Sequence, residues 1–203
     1  MTPHPRLPGI LGDGNTLRDE PQSWPVSARQ EIHSTAYLSL SIDTIVDPHG
    51  GEHGRTVVRP NGAVGILAID DDDRILLVEQ YRHPVRSRLL EIPAGTLDVD
   101  GESPLEAAAR ELAEEADLTA TEWQPLLSQL ATPGYSTEAW QTYRASGLSP
   151  LHESERTTRV GEEAYMKQWW IPFESAVTAV LEGRITDSMT VSAILAAKVL
   201  RGQ

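Results

Sequence analysis

The segment that begins Ser103-Pro104-Leu105-Glu106 constrains this chain more than any other, because it marks a helix start three times over. It offers a serine able to cap, a proline at the first helical position and a glutamate spaced to close a capping box. Leu105, Ala108, Ala109, Leu112 and Ala116 then recur at spacings of three and four, which predicts one apolar face running for about 12 residues. On the same helix Glu111 and Glu115 stand at i and i+4, so their carboxylates share a face while Leu112 and Ala116 turn to the core. Like charges at that spacing repel, and exchanging one for lysine would gain a few tenths of a kcal/mol, so the pair costs stability unless a cation sits between them. Mg²⁺ suits such a pair: it takes hard oxygen ligands, one or two of them carboxylates, and leaves the other positions to water and phosphate. A solvated acidic face would look the same in isolation, and the surroundings of the pair decide between the two.

The rest of the chain alternates strands with helices. Tyr37 to Val46 alternates apolar and polar residues at period two, DPHGG supplies turn chemistry, and Arg55 to Val58 resume a strand, which predicts a β-hairpin. Ala63–Ile69 and Arg74–Gln80, separated by the acidic turn Asp70–Asp73, predict a second hairpin. Further strands are expected at Trp123–Leu130, Trp140–Ser146 and Trp169–Ile171, and amphipathic helices over 174–182 and 188–200. Residues 1–30, rich in Pro, Gly and polar side chains, read as a flexible N-terminal arm. Residues 31–60 form an N-terminal β region, and 61–203 a single α/β domain, as suits a length of 203 residues.

Composition narrows the function classes. Thirty Asp+Glu against seventeen Lys+Arg give a net charge of −13, the wrong sign for a surface that neutralises nucleic-acid phosphates. There is no cysteine, which removes disulfides, thiolate metal sites and thiol nucleophiles together, and the six histidines show no metal-ligand spacing. No stretch approaches the roughly 18 apolar residues of a membrane span, and the N-terminus lacks the pattern of a signal peptide. A cytoplasmic protein without nucleic-acid or membrane partners is the expectation.

Gly95, Glu102, the run Arg110-Glu111-Leu112-Ala113-Glu114-Glu115 and Leu118 resemble, in order and spacing, the signature of the Nudix hydrolases. Two positions depart from it: the loop Gly95–Glu102 is one residue longer, and Asp117 stands where the signature has glycine. Asp117 falls at the helix exit, where a carboxylate meets the negative end of the helix dipole and a left-handed turn prefers glycine. The likeness continues in Glu79-Gln80-Tyr81-Arg82-His83-Pro84, Glu91-Ile92-Pro93-Ala94-Gly95 and Thr132-Pro133-Gly134-Tyr135, which are similar to the ADP-ribose pyrophosphatase branch. In that branch tryptophan often precedes the glutamate that is Glu91 here, and this chain has Leu90.

The resemblance implies a Nudix-type α/β/α sandwich with a mixed sheet, preceded by an N-terminal β-hairpin region that joins two subunits of a homodimer. It implies Mg²⁺, or Mn²⁺, held by Glu111 and Glu115 with the Ala94 carbonyl and Glu114 in support. Arg110 would orient these glutamates, while Glu102 would serve either a metal or the start of the helix. The proton of the attacking water would go to a loop glutamate: Glu163 first and Glu162 second, since neighbours on an extended segment point to opposite sides. Arg82 would contact substrate phosphate or form a structural ion pair; Arg55 and Tyr37, from the hairpin, would clamp the adenine. The implied reaction is hydrolysis of the pyrophosphate bond of ADP-ribose to AMP and ribose 5-phosphate. The same chemistry on ADP-glucose, GDP-mannose or NADH, and a non-catalytic nucleotide-sensing module, are the rival readings.

Overall fold

The computed structural model of the protein describes residues 2–161 and 163–202. At the N-terminus β1 (Thr2–Pro3) and β2 (Ile10–Leu11) pair as a short ladder. Then β3 (Val26–Ser34), β4 (Leu38–Val46) and β5 (Glu52–Pro60) form an antiparallel sheet in the order β3-β4-β5. The hairpin expected from the alternating pattern is β4–β5. The additional strand β3 spans the expected end of the arm at residue 30. Its residues are all exposed and mostly polar, so it shows no period-two signature; it is held by backbone pairing to β4 and by the Arg29 guanidinium on Asp43, at 3.0 Å through both nitrogens.

Next come β6 (Ala63–Ala68), β7 (Arg74–Arg82), β8 (Ser87–Glu91), β9 (Ala94–Thr96), α1 (Pro104–Ala116), β10 (Leu118–Leu130), β11 (Ala139–Pro150), β12 (Lys167–Pro172), α2 (Phe173–Leu181) and α3 (Ser188–Arg201). One sheet runs β10-β11-β6-β9, with β11 and β6 parallel and the other pairs antiparallel; a second runs β12-β7-β8, antiparallel throughout. The two apolar runs expected to pair as a hairpin therefore part. β6 takes β11 and β9 as neighbours, β7 takes β12 and β8, and the isolated bridge Ile69–Ile75 joins them. Runs that are buried on both faces carry no alternation from which partners can be read.

Helices cover both faces of this layer. Val64, Ile66 and Ala68 of β6 point to Ala108, Leu112 and Ala116 of α1, whereas Leu67 and Ile69 point to Phe173 of α2 and Ile194 of α3. Burying side chains of this size stabilises the fold by roughly 1.5–3 kcal/mol each. This α/β/α arrangement with a mixed sheet agrees with the expected fold class. Among the described residues no helix is long and apolar enough to cross a membrane.

The start of α1 agrees with its sequence in full. Ser103 accepts the Glu106 backbone N–H, and the Glu106 carboxylate accepts that of Ser103 at 2.8 Å. Replacing Ser103 by alanine should cost about 1 kcal/mol and lower Tm by roughly 2–4 °C, read by calorimetry; an unchanged Tm would show that packing alone sets this end. The helical face differs from expectation. Leu105 and Ala109 are exposed, and the buried stripe is Ala107, Ala108, Glu111, Leu112, Glu115 and Ala116. The stripe is rotated towards the glutamates, which places two carboxylates in the buried half of the helix.

Candidate active site

α1, β7, β9 and the segment leading into β12 surround a cavity of about 570 Å³. Glu115 is only 5% exposed, and its Oε2 accepts the Ala94 N–H at 2.9 Å. Glu111 lies so close over Gly95 that a β-carbon there would overlap its carboxylate, so a larger residue at this position would displace that carboxylate from its place. Arg110 spreads its donors over three carboxylates. Nε and Nη2 each reach Glu102 at 3.0 Å, and Nη1 reaches Glu111 at 2.7 Å and Glu114 at 3.3 Å. Arg110 therefore orients the helix glutamates, as expected, and Glu102 is spent on holding Arg110.

Burial governs the protonation of the pair. Loss of water pushes the Glu115 carboxyl up to about 8; Glu111 and Glu163 push the same way, while the Ala94 N–H and Arg82 oppose them. Glu111 is also raised, mainly by burial, with Arg110 opposing. Among the described residues no three His, Cys, Asp or Glu side chains are already gathered about one point. The donor set nevertheless fits a divalent cation: it is all oxygen and largely buried, and a cation would favour the ionised form of both carboxyls that burial disfavours.

Arg82, at the end of β7, lines the same cavity and is clamped by Glu91, with Nε–Oε1 3.0 Å and Nη2–Oε2 2.6 Å. The ion pair and the placement at the cavity hold together: Glu91 engages one edge of the guanidinium. In the sequence Glu91 stands within a motif that assigns it no task. Gln80, two residues before Arg82 and so on the same face of β7, also lines the cavity. Its side-chain oxygen is buried with no hydrogen-bond partner among the described residues. A period-two reading places Gln80 beside Arg82 but does not reveal an unsatisfied amide. Asp187, the N-cap of α3, completes this wall.

Glu163 lines the cavity and lies close enough to Glu115 for its charge to be felt there. It opens a 3₁₀ turn, Glu163–Tyr165, so the extended geometry expected around it does not hold. Glu162 lies outside the described residues. Tyr37 and Glu114 also line the cavity, together with Ala94. Arg55 does not: it stands on β5, its guanidinium turned to the Gly54 carbonyl. His83 is not among the residues lining the cavity; it is exposed, with its Nδ1 3.3 Å from the Tyr81 hydroxyl and its ring edge-on to that of Tyr81.

A layered α/β frame with carboxylates from one capped helix meeting an arginine and a loop glutamate in a single cavity defines a carboxylate-based hydrolase. The NUDIX domain model matches residues 59–189, and the chain belongs to the Nudix family. It is 42% identical over 167 residues to the ADP-ribose pyrophosphatase of Mycobacterium tuberculosis, covering 82% of this chain and 79% of that protein. It is 34% identical over 165 residues to the methanol dehydrogenase activator of Bacillus methanolicus, covering 81% and 87%. A crystal structure of an ADP compounds hydrolase shares the fold with a TM-score of 0.74 over 92% of this chain and 98% of its own, at 21% identity.

Proposed function

We propose that the protein hydrolyses the pyrophosphate bond of ADP-ribose to AMP and ribose 5-phosphate, with Mg²⁺ or Mn²⁺ as cofactor. The observation that carries the reading is the meeting of Glu111, Glu115, Glu163 and Arg82 in one cavity. The relative from Mycobacterium tuberculosis named ADP-ribose pyrophosphatase supports this substrate over the rivals. Glu111 and Glu115 would hold the metal, with Glu114 and the Ala94 carbonyl in support. When bound, it supplies charge neutralisation and polarisation of the phosphate oxygens.

The remaining work falls to the chain itself. Arg82, braced by Glu91, presents its free edge to a phosphate oxygen, and the planar fork of donors suits that task. Arg110 keeps Glu111 and Glu114 in place. Glu163 accepts a proton from the attacking water as the new P–O bond forms and the bridging P–O bond breaks. Tyr37 offers a ring face to the adenine. Arg55, turned away from its own cavity, would serve that of a partner in a homodimer built on the 31–60 region. Ile32, Leu38 and Ile42 leave apolar surface exposed on that sheet, which a second copy would cover.

The test is phosphatase-coupled phosphate release from ADP-ribose, ADP-glucose, GDP-mannose and NADH with Mg²⁺, alongside the molecular mass in solution. A kcat/KM for ADP-ribose about 10-fold or more above the others, its loss with EDTA and a dimer mass are expected. Preference for another compound would transfer the assignment to it. No metal-dependent release from any of them would leave a sensing module, and a fully active monomer would remove Arg55 from the site.

A further inference from the structure

The exit of α1 presents a contradiction that its surroundings resolve. Asp117 takes the left-handed conformation, φ 56° and ψ 36°, that ends the helix. A side chain there carries a strain that glycine escapes, and a carboxylate at this end faces the negative pole of the helix. Aspartate is thus unsuited to the position on two counts. The carboxylate is met by Arg159, 42 residues further on: Nη2 donates to Asp117 Oδ2 at 2.7 Å, and Nε donates to the Glu114 carbonyl at 2.9 Å. Neither side chain of the pair is more than a quarter exposed, so it is shielded from water more than a surface ion pair is.

Arg159 belongs to the segment that leaves β11 and enters β12, and the rest of this segment is tied to the same helix end. The Leu151 N–H donates to the Asp117 carbonyl at 2.8 Å, and Gln168 Nε2 donates to the Glu115 carbonyl at 3.1 Å. The last-turn carbonyls, which a helix leaves unpaired, are thus taken up by the chain that carries Glu163. Glu163 lies four residues beyond Arg159, between that tie and Gln168.

We propose that the Asp117–Arg159 pair is a positioning device: it docks residues 151–161 on the C-terminal end of α1 and so sets Glu163 against Glu111 and Glu115. This rests on the reading of Glu163 as the group that accepts the proton. The departure of Asp117 from the signature glycine is then the half of a cross-link whose other half is Arg159. Arg159 and Gln168 thus hold the chain on either side of Glu163 to the helix end that carries Glu115. Losing the pair leaves every group that touches substrate or metal present, and costs its effect through geometry.

The experiment compares Asp117→Gly and Arg159→Met with wild type in Mg²⁺-dependent ADP-ribose hydrolysis, each also in a Glu163→Gln background. Asp117→Gly removes the backbone strain, so Tm should hold or rise while kcat falls about 10-fold or more and KM stays within about 2-fold, since misplaced reacting groups cost rate steeply. Arg159→Met should do the same, and Arg159→Lys should recover part of the loss. In the Glu163→Gln background neither substitution should lower kcat further. Amide exchange should quicken over 151–161 and stay slow in α1.

Wild-type kcat in both single variants, with Glu163→Gln impaired, overturns the positioning role and leaves Glu163 as the base. An equal further loss in the Glu163→Gln background overturns it as well, since the pair would then act on the helix glutamates. Undiminished kcat in Glu163→Gln itself overturns the assignment of the base, and with it a device that acts through it.

Discussion

Replacing Glu115 by glutamine is expected to lower kcat by on the order of 10² or more, the scale seen when a group that stabilises developing charge is lost. Glutamine keeps the volume of a side chain only 5% exposed and can still accept the Ala94 N–H, so the fold should persist and the lost charge is what is measured. The same substitution has a signature independent of turnover. Glu115 titrates near 8 in the folded, metal-free chain, against an ordinary value of 4.5. Between these values the unfolded chain has released the proton and the folded one retains it, so stability is fully present below pH 4.5 and is lost as pH rises towards 8. At about 1.4 kcal/mol per pKa unit the loss amounts to a few kcal/mol. In EDTA, Glu115→Gln should therefore have a flatter dependence of Tm on pH and a higher Tm than wild type at pH 8. Mg²⁺ should raise the wild-type Tm at pH 8 more than that of the variant. Retained activity at saturating Mg²⁺ together with an unaltered pH profile of stability would take Glu115 out of the metal site.

Glu163→Gln should lower kcat by roughly 10² to 10⁴ with little change in KM, the pattern of a lost general base that contributes little to ground-state binding. The acidic limb of the rate profile, where the base is protonated, should disappear with it. Glu162→Gln should be milder. If instead Glu162→Gln carries the loss, the two exchange roles. If both single variants and the double variant keep wild-type kcat, the proton passes to bulk water or to a helix glutamate, and the placement of Glu163 in the cavity has another use. Steady-state rates across pH for the three variants decide among these outcomes.

Local signals carried far in this chain. The capping box, the i and i+4 glutamates, the period-two pattern of Leu38–Val46 and the spacing from Gly95 to Leu118 are short-range features, and the elements they mark stand within a few residues of their expected positions. They are legible because helix starts, hairpin turns and amphipathic repeats are decided by neighbours a turn or two away. Signals failed where a partner lay far along the chain. Val26–Ser34 is a strand only because β4 offers it an edge, and Ala63–Ala68 turns from Arg74–Arg82 because β11, seventy-odd residues on, competes for its backbone.

The candidate site divides along the same line. From residues alone one reads that Glu111 and Glu115 share a face, that Gly95 and Arg110 accompany them, and that Arg82 and Glu163 are groups of the right chemistry, since residue type and spacing are properties of the chain itself. Tertiary packing decided which half of α1 is buried, and hence that the glutamates are desolvated rather than a wet acidic face. It decided that Glu91 braces Arg82, and that the Gln80 side-chain oxygen is buried with no partner among the described residues. It also decided that Arg159 meets Asp117 across 42 residues and turns an ill-suited helix terminator into a tie. The physical reason is common to all of these. Desolvation, ion pairing and hydrogen bonding depend on what lies within a few ångströms in space, and only folding brings those groups together.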